Sequence, residues 1–377
     1  MVAKAKTFLC LALVFGGALN DFDACAQPTA TNQFSDGETL ARFPKMQMVN
    51  SMLFSPDGKT IATLRGENTF WHEGGKPLTL QLWSVSSGAL LWTARESAYY
   101  LYAFSPDSTR LAGIAAHAGL VLWNTASGKI EHILPLQDGW ASAVFTPDGQ
   151  KLITAVHGSN PGMMPVGPED IRLWNGKTCR FIRALKAETN AISAMTVSPD
   201  GRMLAMAGIS GVSNNTINVL DMENDAICRT LRFDTKVWTI MSLAFSPDGK
   251  TLAAGGGRHD GTGEIRFWDV TSGQLQRVLT DADLGAAEPR ISMTPTIVFS
   301  PDGGTLLSVG DNQTMIWWDV AKGKARQALR EADPPHKGGF TVQYLKNGLL
   351  SAAVNSQDQV EVQLWNAPHE RNSFNIQ

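Results

Sequence analysis

One short turn recurs along the chain and limits what it can fold into. It reads Phe54-Ser55-Pro56-Asp57-Gly58, then Phe104-Ser105-Pro106-Asp107, then Phe145-Thr146-Pro147-Asp148-Gly149. It returns as Val197-Ser198-Pro199-Asp200-Gly201, Phe245-Ser246-Pro247-Asp248-Gly249 and Phe299-Ser300-Pro301-Asp302-Gly303. A worn copy is Tyr344-Leu345-Lys346-Asn347-Gly348. Proline presets φ at the first central position of a tight turn, Asp hydrogen-bonds to backbone further on, and Gly supplies a positive φ. Apolar, β-rich runs such as Leu252-Ala253-Ala254 flank each copy, so each predicts a strand–turn–strand unit.

Each unit then reaches a third strand that closes on a large residue and a polar one. These are Trp83-Ser84, Trp123-Asn124, Trp174-Asn175, Leu220-Asp221, Trp268-Asp269, Trp318-Asp319 and Trp365-Asn366. A turn such as Thr271-Ser272-Gly273 follows, then a fourth strand such as Gln274 to Leu279. Four strands per unit, at a period of roughly 40 to 50 residues, is the pattern of propeller blades. The 377-residue length would otherwise suggest two or three domains, but an internal repeat overrides that prior.

The pattern resembles the WD40-repeat β-propeller family, in a degenerate, secreted, bacterial-type form, with Trp268-Asp269 and Trp318-Asp319 as its clearest signatures. The resemblance implies an all-β, seven-bladed β-propeller of four-stranded antiparallel blades. Two family features are missing or sparse. No Gly-His dipeptide precedes an innermost strand, and the Asp before the third strand is seen only as Asp311 and Asp358. The hydrogen-bonded network those residues build in the family is therefore not expected. Packing of the structural residues Trp83, Trp123, Trp174, Trp268, Trp318 and Trp365 is expected to carry more of the stability. The segment Gly37 to Phe43 resembles the fourth-strand sequence Gly273 to Leu279. It is expected to pair with the third strand of the seventh blade, closing the ring and removing an open edge.

The first 26 residues differ from the rest. Lys4 and Lys6 precede an apolar stretch from Phe8 to Leu19, and Ala24-Cys25-Ala26 forms a small-x-small site. This layout predicts a secretory signal peptide over residues 1–26, cleaved near Ala26, and a secreted or periplasmic protein with no transmembrane span in the mature chain. Residues 27–35 then form a linker, 36–367 the propeller and 368–377 a tail. Cleavage leaves Cys179 and Cys228, which fall in matching Cys-Arg sequences and are expected on the splayed outer strands of neighbouring blades, as free, half-buried thiols. Net charge is −3 and no basic run occurs, so nucleic acid is not an expected partner.

The strand order decides where a partner would bind. The Ser-Pro-Asp-Gly turns lie on one face. The second-to-third-strand loops and the blade connections lie on the other, called the top. Long segments gather there: Arg65 to Pro77, His157 to Asp170, Gly208 to Asn215, Gly255 to Gly263 and Asp281 to Pro295. Loops on a rigid scaffold are where function usually sits. The candidate partner-binding residues are Phe70, Trp71, Tyr99, Tyr100, Trp140, Trp238 and Arg258, with Arg65, Lys76 and Lys236 on their rim. Packing of the same rings onto the blades is the competing explanation.

His72, His117, His157, His259 and His336 also map to the top, but no pair has a metal-ligand spacing. Asp281-Ala282-Asp283-Leu284-Gly285, with Glu288, has some calcium-loop character, but its Gly comes one place early. Gly255-Gly256-Gly257 reads as flexible loop, not a phosphate cradle. No Gly-x-Ser-x-Gly elbow, His-Glu-x-x-His, phosphate loop or dinucleotide fingerprint is present. The expectation is a monomeric, non-enzymatic platform that uses no cofactor and binds a protein or peptide through its top-face loops. The alternative is a metal-binding or enzymatic propeller with its site in the top-face funnel.

Overall fold

The computed structural model describes residues 37–45, 49–66, 78–115, 119–134, 140–157, 170–185, 192–208, 216–233, 237–258, 262–284, 291, 296–310, 314–329, 340–345, 348–354 and 359–366. After β1 (Gly37–Lys45) come six self-contained antiparallel blades. Blade 1 is β2 (Val49–Phe54), β3 (Thr60–Arg65), β4 (Thr79–Ser84) and β5 (Leu90–Thr93). Blade 2 is β6 (Ala98–Phe104), β7 (Arg110–Ala115), β8 (Gly119–Asn124) and β9 (Ile130–Ile133). Blade 3 is β10 (Trp140–Phe145), β11 (Lys151–His157), β12 (Asp170–Asn175) and β13 (Phe181–Leu185). Blade 4 is β14 (Ile192–Val197), β15 (Met203–Gly208), β16 (Thr216–Asp221) and β17 (Ala226–Arg232). Blade 5 is β18 (Val237–Phe245), β19 (Thr251–Arg258), β20 (Gly263–Asp269) and β21 (Leu275–Leu279). Blade 6 is β22 (Thr296–Phe299), β23 (Thr305–Val309), β24 (Met315–Asp319) and β25 (Lys324–Leu329).

Six self-contained blades are thus present rather than seven. The last repeat supplies only three strands of its own, β26 (Phe340–Leu345), β27 (Gly348–Val354) and β28 (Gln359–Asn366). Its sheet is composite, in the order β1-β28-β27-β26. β1 pairs antiparallel with β28, with Gly37 opposite Trp365 and Lys45 opposite Gln359.

The recurrent turns form because one hydroxyl and one carboxylate satisfy the local backbone. Thr146 Oγ1 donates to Asp148 Oδ1 at 2.5 Å and accepts the Lys151 N–H at 3.0 Å. Asp148 Oδ1 also accepts the Gln150 N–H at 3.0 Å. The same bonds recur around Ser55 and Asp57, and around Ser246 and Asp248. Blade 2 has no Gly in its turn, and Ser108 takes up the positive φ of 60° instead.

Trp83, Trp123, Trp174, Trp268 and Trp318 are buried at the ends of third strands. A hydrogen-bonded network, not expected from the sequence, joins three of them to the neighbouring strand. Trp83 Nε1 donates to Thr63 Oγ1 at 3.1 Å, Trp174 Nε1 to Thr154 Oγ1 at 2.8 Å, and Trp318 Nε1 to Ser308 Oγ at 2.8 Å. In blade 2 the equivalent position is Gly113, and the Trp123 indole N–H has no partner among the described residues. A Cβ on Gly113 would lie 2.3 Å from the Tyr100 carbonyl oxygen, so this strand crossing admits no hydroxyl-bearing residue.

Side-chain arms tie successive blades together at their outer ends. Trp92 Nε1 donates to the Thr125 carbonyl of blade 2 at 2.6 Å. Arg183 of blade 3 donates to the Met222 carbonyl, Arg229 Nε of blade 4 to Thr271 O at 2.9 Å, and Arg277 of blade 5 to Ala321 O at 3.0 Å. These four share one register position, opposite Leu82, Leu173, Val219 and Phe267 in their own blades. Blade 2 uses Arg110 instead, bonded to Gly176 O at 2.9 Å and Lys177 O at 2.8 Å. Core clusters cross the same boundaries. One joins Phe43 and Val362 of the composite sheet to Phe54 and Trp83 of blade 1, and another joins Trp317 of blade 6 to Leu349 of the composite sheet.

Two sequence expectations need correcting. Gly255 to Gly257 are not a loop. They lie inside β19, paired with β18 on one side and β20 on the other. Gly256 is needed there because a Cβ would meet Val237 Cγ1 at 2.8 Å and the Thr239 carbonyl at 3.2 Å. The cysteines are free and half-buried, but they do not match in place. Cys228 lies on β17, whereas Cys179 stands in the turn before β13, with φ 54°. Its N–H bonds Asn175 O as the Gly128 N–H bonds Asn124 O, so Cys179 replaces a turn glycine. Burial pushes both thiols above the usual range.

Candidate functional site

Within each antiparallel blade the inner strand begins, and the second strand ends, on the top face. Four inner strands carry one extra residue at their second position. The pairing shifts by one across Asn50 in blade 1, Tyr99 in blade 2, Ser193 in blade 4 and Trp238 in blade 5. Such bulges re-aim side chains and twist the strand locally. Asn50 Nδ2 donates to Gly66 O at 2.6 Å, and Ser193 Oγ to Ala207 O at 3.2 Å. Two of the aromatic candidates, Tyr99 and Trp238, therefore occupy equivalent points of one rim.

Tyr99 and Tyr100 are the second and third residues of β6, next to the connection from blade 1. Both are half-buried. Tyr100 stacks on Tyr102, ring centroids 6.5 Å apart, and packs on the cluster of Leu120, Phe145 and Trp174. Packing thus explains Tyr100 as well as partner binding does. Trp140 opens β10 and is the backbone register partner of His157, which ends β11.

Arg258, at the end of β19, is the register partner of Val237, next to the Trp238 bulge. Its guanidinium is committed to Glu264, which is fully buried. Arg258 Nε donates to Glu264 Oε2 at 2.9 Å, and Arg266 Nε donates to Glu264 Oε1 at 2.6 Å. The Arg266 guanidinium also lies over the Phe233 ring, 4.9 Å from its centroid. A buried carboxylate needs such paired, hydrogen-bonded cations to offset its desolvation. This Arg–Glu–Arg clamp is absent from the sequence expectations. Its only signal was the spacing of Arg258, Glu264 and Arg266, which says nothing of burial.

Phe70, Trp71, His72, His117, His259, His336, Lys76 and Lys236 lie outside the described residues. Among the described residues no group of three or more His, Cys, Asp or Glu could hold a metal. Asp281 to Leu284 form a 3-10 helix, and Asp283 Oδ2 accepts the Thr280 N–H at 2.9 Å, so this carboxylate caps a helix turn. Among the described residues no helix is long and apolar enough to cross a membrane.

Comparison with known proteins agrees with this architecture. The WD40 family model, described as WD domain, G-beta repeat, matches residues 228–269. That stretch starts on β17 and ends with β20, so it spans a blade boundary. Periodic tryptophan protein 2 of Arabidopsis thaliana is 24% identical over 72% of this chain and 29% of its own length. An uncharacterized WD repeat-containing protein of Synechocystis is 28% identical over 48% of this chain and 44% of its own. The target of rapamycin complex subunit wat1 of Schizosaccharomyces pombe is 24% identical over 44% of this chain and 47% of its own. The chain spans less than half the length of these relatives. The chain is a β-propeller of four-stranded antiparallel blades, and it is similar to WD-repeat proteins, with one WD-repeat match over residues 228–269.

Proposed function

We propose that this chain is an extracytoplasmic interaction platform that holds a protein or peptide partner on its top face and carries out no reaction itself. The carrying observation is the recurrent one-residue shift that sets Tyr99 and Trp238 at equivalent points of the top rim. The packing of the composite sheet on blade 1 and on blade 6 supports its acting as a seventh blade that closes the ring of a monomeric propeller. A closed ring is a stiff frame, and a stiff frame lowers the ordering cost of binding. Similarity to a protein named as a subunit of a complex supports a partner-binding role. The signal-like start of the chain supports export.

The test is a quantitative pull-down from an envelope or secreted fraction. The baits are the chain from Gln27 onward and the double variant Trp71→Ala, Trp238→Ala. A partner held by the first and lost by the second upholds the reading. Equal capture by both moves the interface away from the top. Export is checked by the mass of the mature N-terminus, which should begin at Gln27.

A further inference from the structure

All exposed large hydrophobic side chains among the described residues lie on the outer strands β5, β9, β13, β17 and β21. Two of these strands present adjacent pairs: β5 has Leu90 at 46% and Leu91 at 50% exposed, and β13 has Phe181 at 54% and Ile182 at 47%, the latter pair with an aromatic ring and beside exposed Arg180. Phe181 and Ile182 are neighbours in sequence, yet both face solvent, because Ile182 is an extra residue between the pairs Trp174–Phe181 and Leu173–Arg183. Phe181 is held in place edge-on to Trp174, with ring centroids 5.5 Å apart. β13 ends its sheet, so one side of its backbone faces no further strand among the described residues. The segment from Gly176 to Leu185 carries Lys177, Arg180 and Arg183 and no acidic residue.

We propose that β13 is a second docking edge, on which an extended, acidic segment of a partner protein adds as a fifth strand. Main-chain bonds along an exposed sheet edge give affinity, and alternate side chains give selectivity. Here the apolar residues of the segment would cover Phe181 and Ile182, and its carboxylates would meet Lys177 and Arg180. Charge argues against a second copy of this chain as the occupant. Two copies paired edge to edge would set like charges across the seam, which is destabilising. A lipid surface fits less well. Outer strands of successive blades face different directions around a ring, and lipid tails offer nothing to backbone donors. This edge does not depend on the top-face reading.

The test uses the chain from Gln27 onward and short fluorescein-labelled peptides, one alternating Glu and Val, the other Lys and Val, read by anisotropy. The Glu–Val peptide should bind and the Lys–Val peptide should not. Phe181→Ser and Arg180→Glu should each weaken binding about tenfold or more. Arg180 is exposed, so its reversal leaves packing intact, and this variant should now favour the Lys–Val peptide. An unchanged affinity in Arg180→Glu overturns the proposal. So does sedimentation with anionic vesicles that is lost in both variants while no peptide binds.

Discussion

The indole N–H of Trp92, on the outer strand of blade 1, reaches across a blade boundary and donates to the Thr125 carbonyl of blade 2 at 2.6 Å. The ring then lies against Gly128, where a Cβ would come within 2.7 Å of Trp92 Cδ2. Gly128 also has a φ of +69°. Gly128→Ala should therefore cost about 2–4 kcal/mol, combining left-handed strain with displacement of the ring. Gly119 is the internal control, with φ +74° and, among the described residues, nothing within 4 Å of the point a Cβ would occupy. Gly119→Ala should lose only the conformational part, about 1–2 kcal/mol. Urea unfolding of both variants measures the difference. Equal losses would mean that the blade-to-blade arm contributes nothing.

Thr154→Val removes the acceptor of the Trp174 indole and keeps the side-chain shape. Trp174 is buried, so its N–H would be left without a partner, at a cost of about 1–3 kcal/mol. In blade 2 the opposite change should fail to help. Gly113→Ser offers Trp123 a hydroxyl, but the Cβ meets the Tyr100 carbonyl oxygen at 2.3 Å. Destabilisation by about 1–3 kcal/mol is expected from overpacking. A rise in the unfolding midpoint of Gly113→Ser would refute this account of the missing hydroxyl.

Local chemistry was legible in the sequence; register was not. The turns at Asp57, Asp148 and Asp248 could be read because proline, aspartate and glycine act within a few residues of one another. The Trp-ending third strands could be read for the same reason. Gly255 to Gly257 looked like a loop because the reason for those glycines is the nearness of Val237 and Thr239, on another strand. The Trp174–Thr154 bond depends on which residues face each other across β11 and β12. At the candidate site, Tyr99 and Trp238 were picked as aromatics near connections. That they share a bulge position follows from pairing shifts that no residue type announces. Arg258 looked like a free rim cation because the burial of Glu264 is a tertiary fact.

The turn aspartates make stability depend on acid. The Thr146 hydroxyl, and then the Gln150 N–H, hold the Asp148 carboxyl below its ordinary value of 3.8. Asp248 is lowered in the same way, first by the Ser246 hydroxyl. A carboxyl depressed in the folded state gives stability that is present above its unfolded pKa and is lost as pH falls through the folded one. Stability should thus fall progressively below about pH 4. The double variant Asp148→Asn, Asp248→Asn should be less stable at neutral pH and show a flatter loss on acidification. Parallel pH profiles for the two proteins would show that these turns do not set the acid limit.

The alkaline limit tests the packing between blade 6 and the composite sheet. Tyr344 lies on β26, and its ring packs on the cluster of Leu307, Val309, Met315, Trp317 and Leu349. Burial pushes its phenol from 10.0 up to about 12. The folded state therefore keeps this proton over a range where the unfolded chain has lost it. Stability from this group is complete below pH 10.0 and is lost as pH rises to about 12. The slope it adds is at most about 1.4 kcal/mol per pH unit. Ultraviolet titration of tyrosinate should show one late-titrating phenol that is absent in Tyr344→Phe. The variant's stability should fall less steeply over the same interval. A late phenol that persists in Tyr344→Phe would assign the buried group to another tyrosine and remove this junction as the cause.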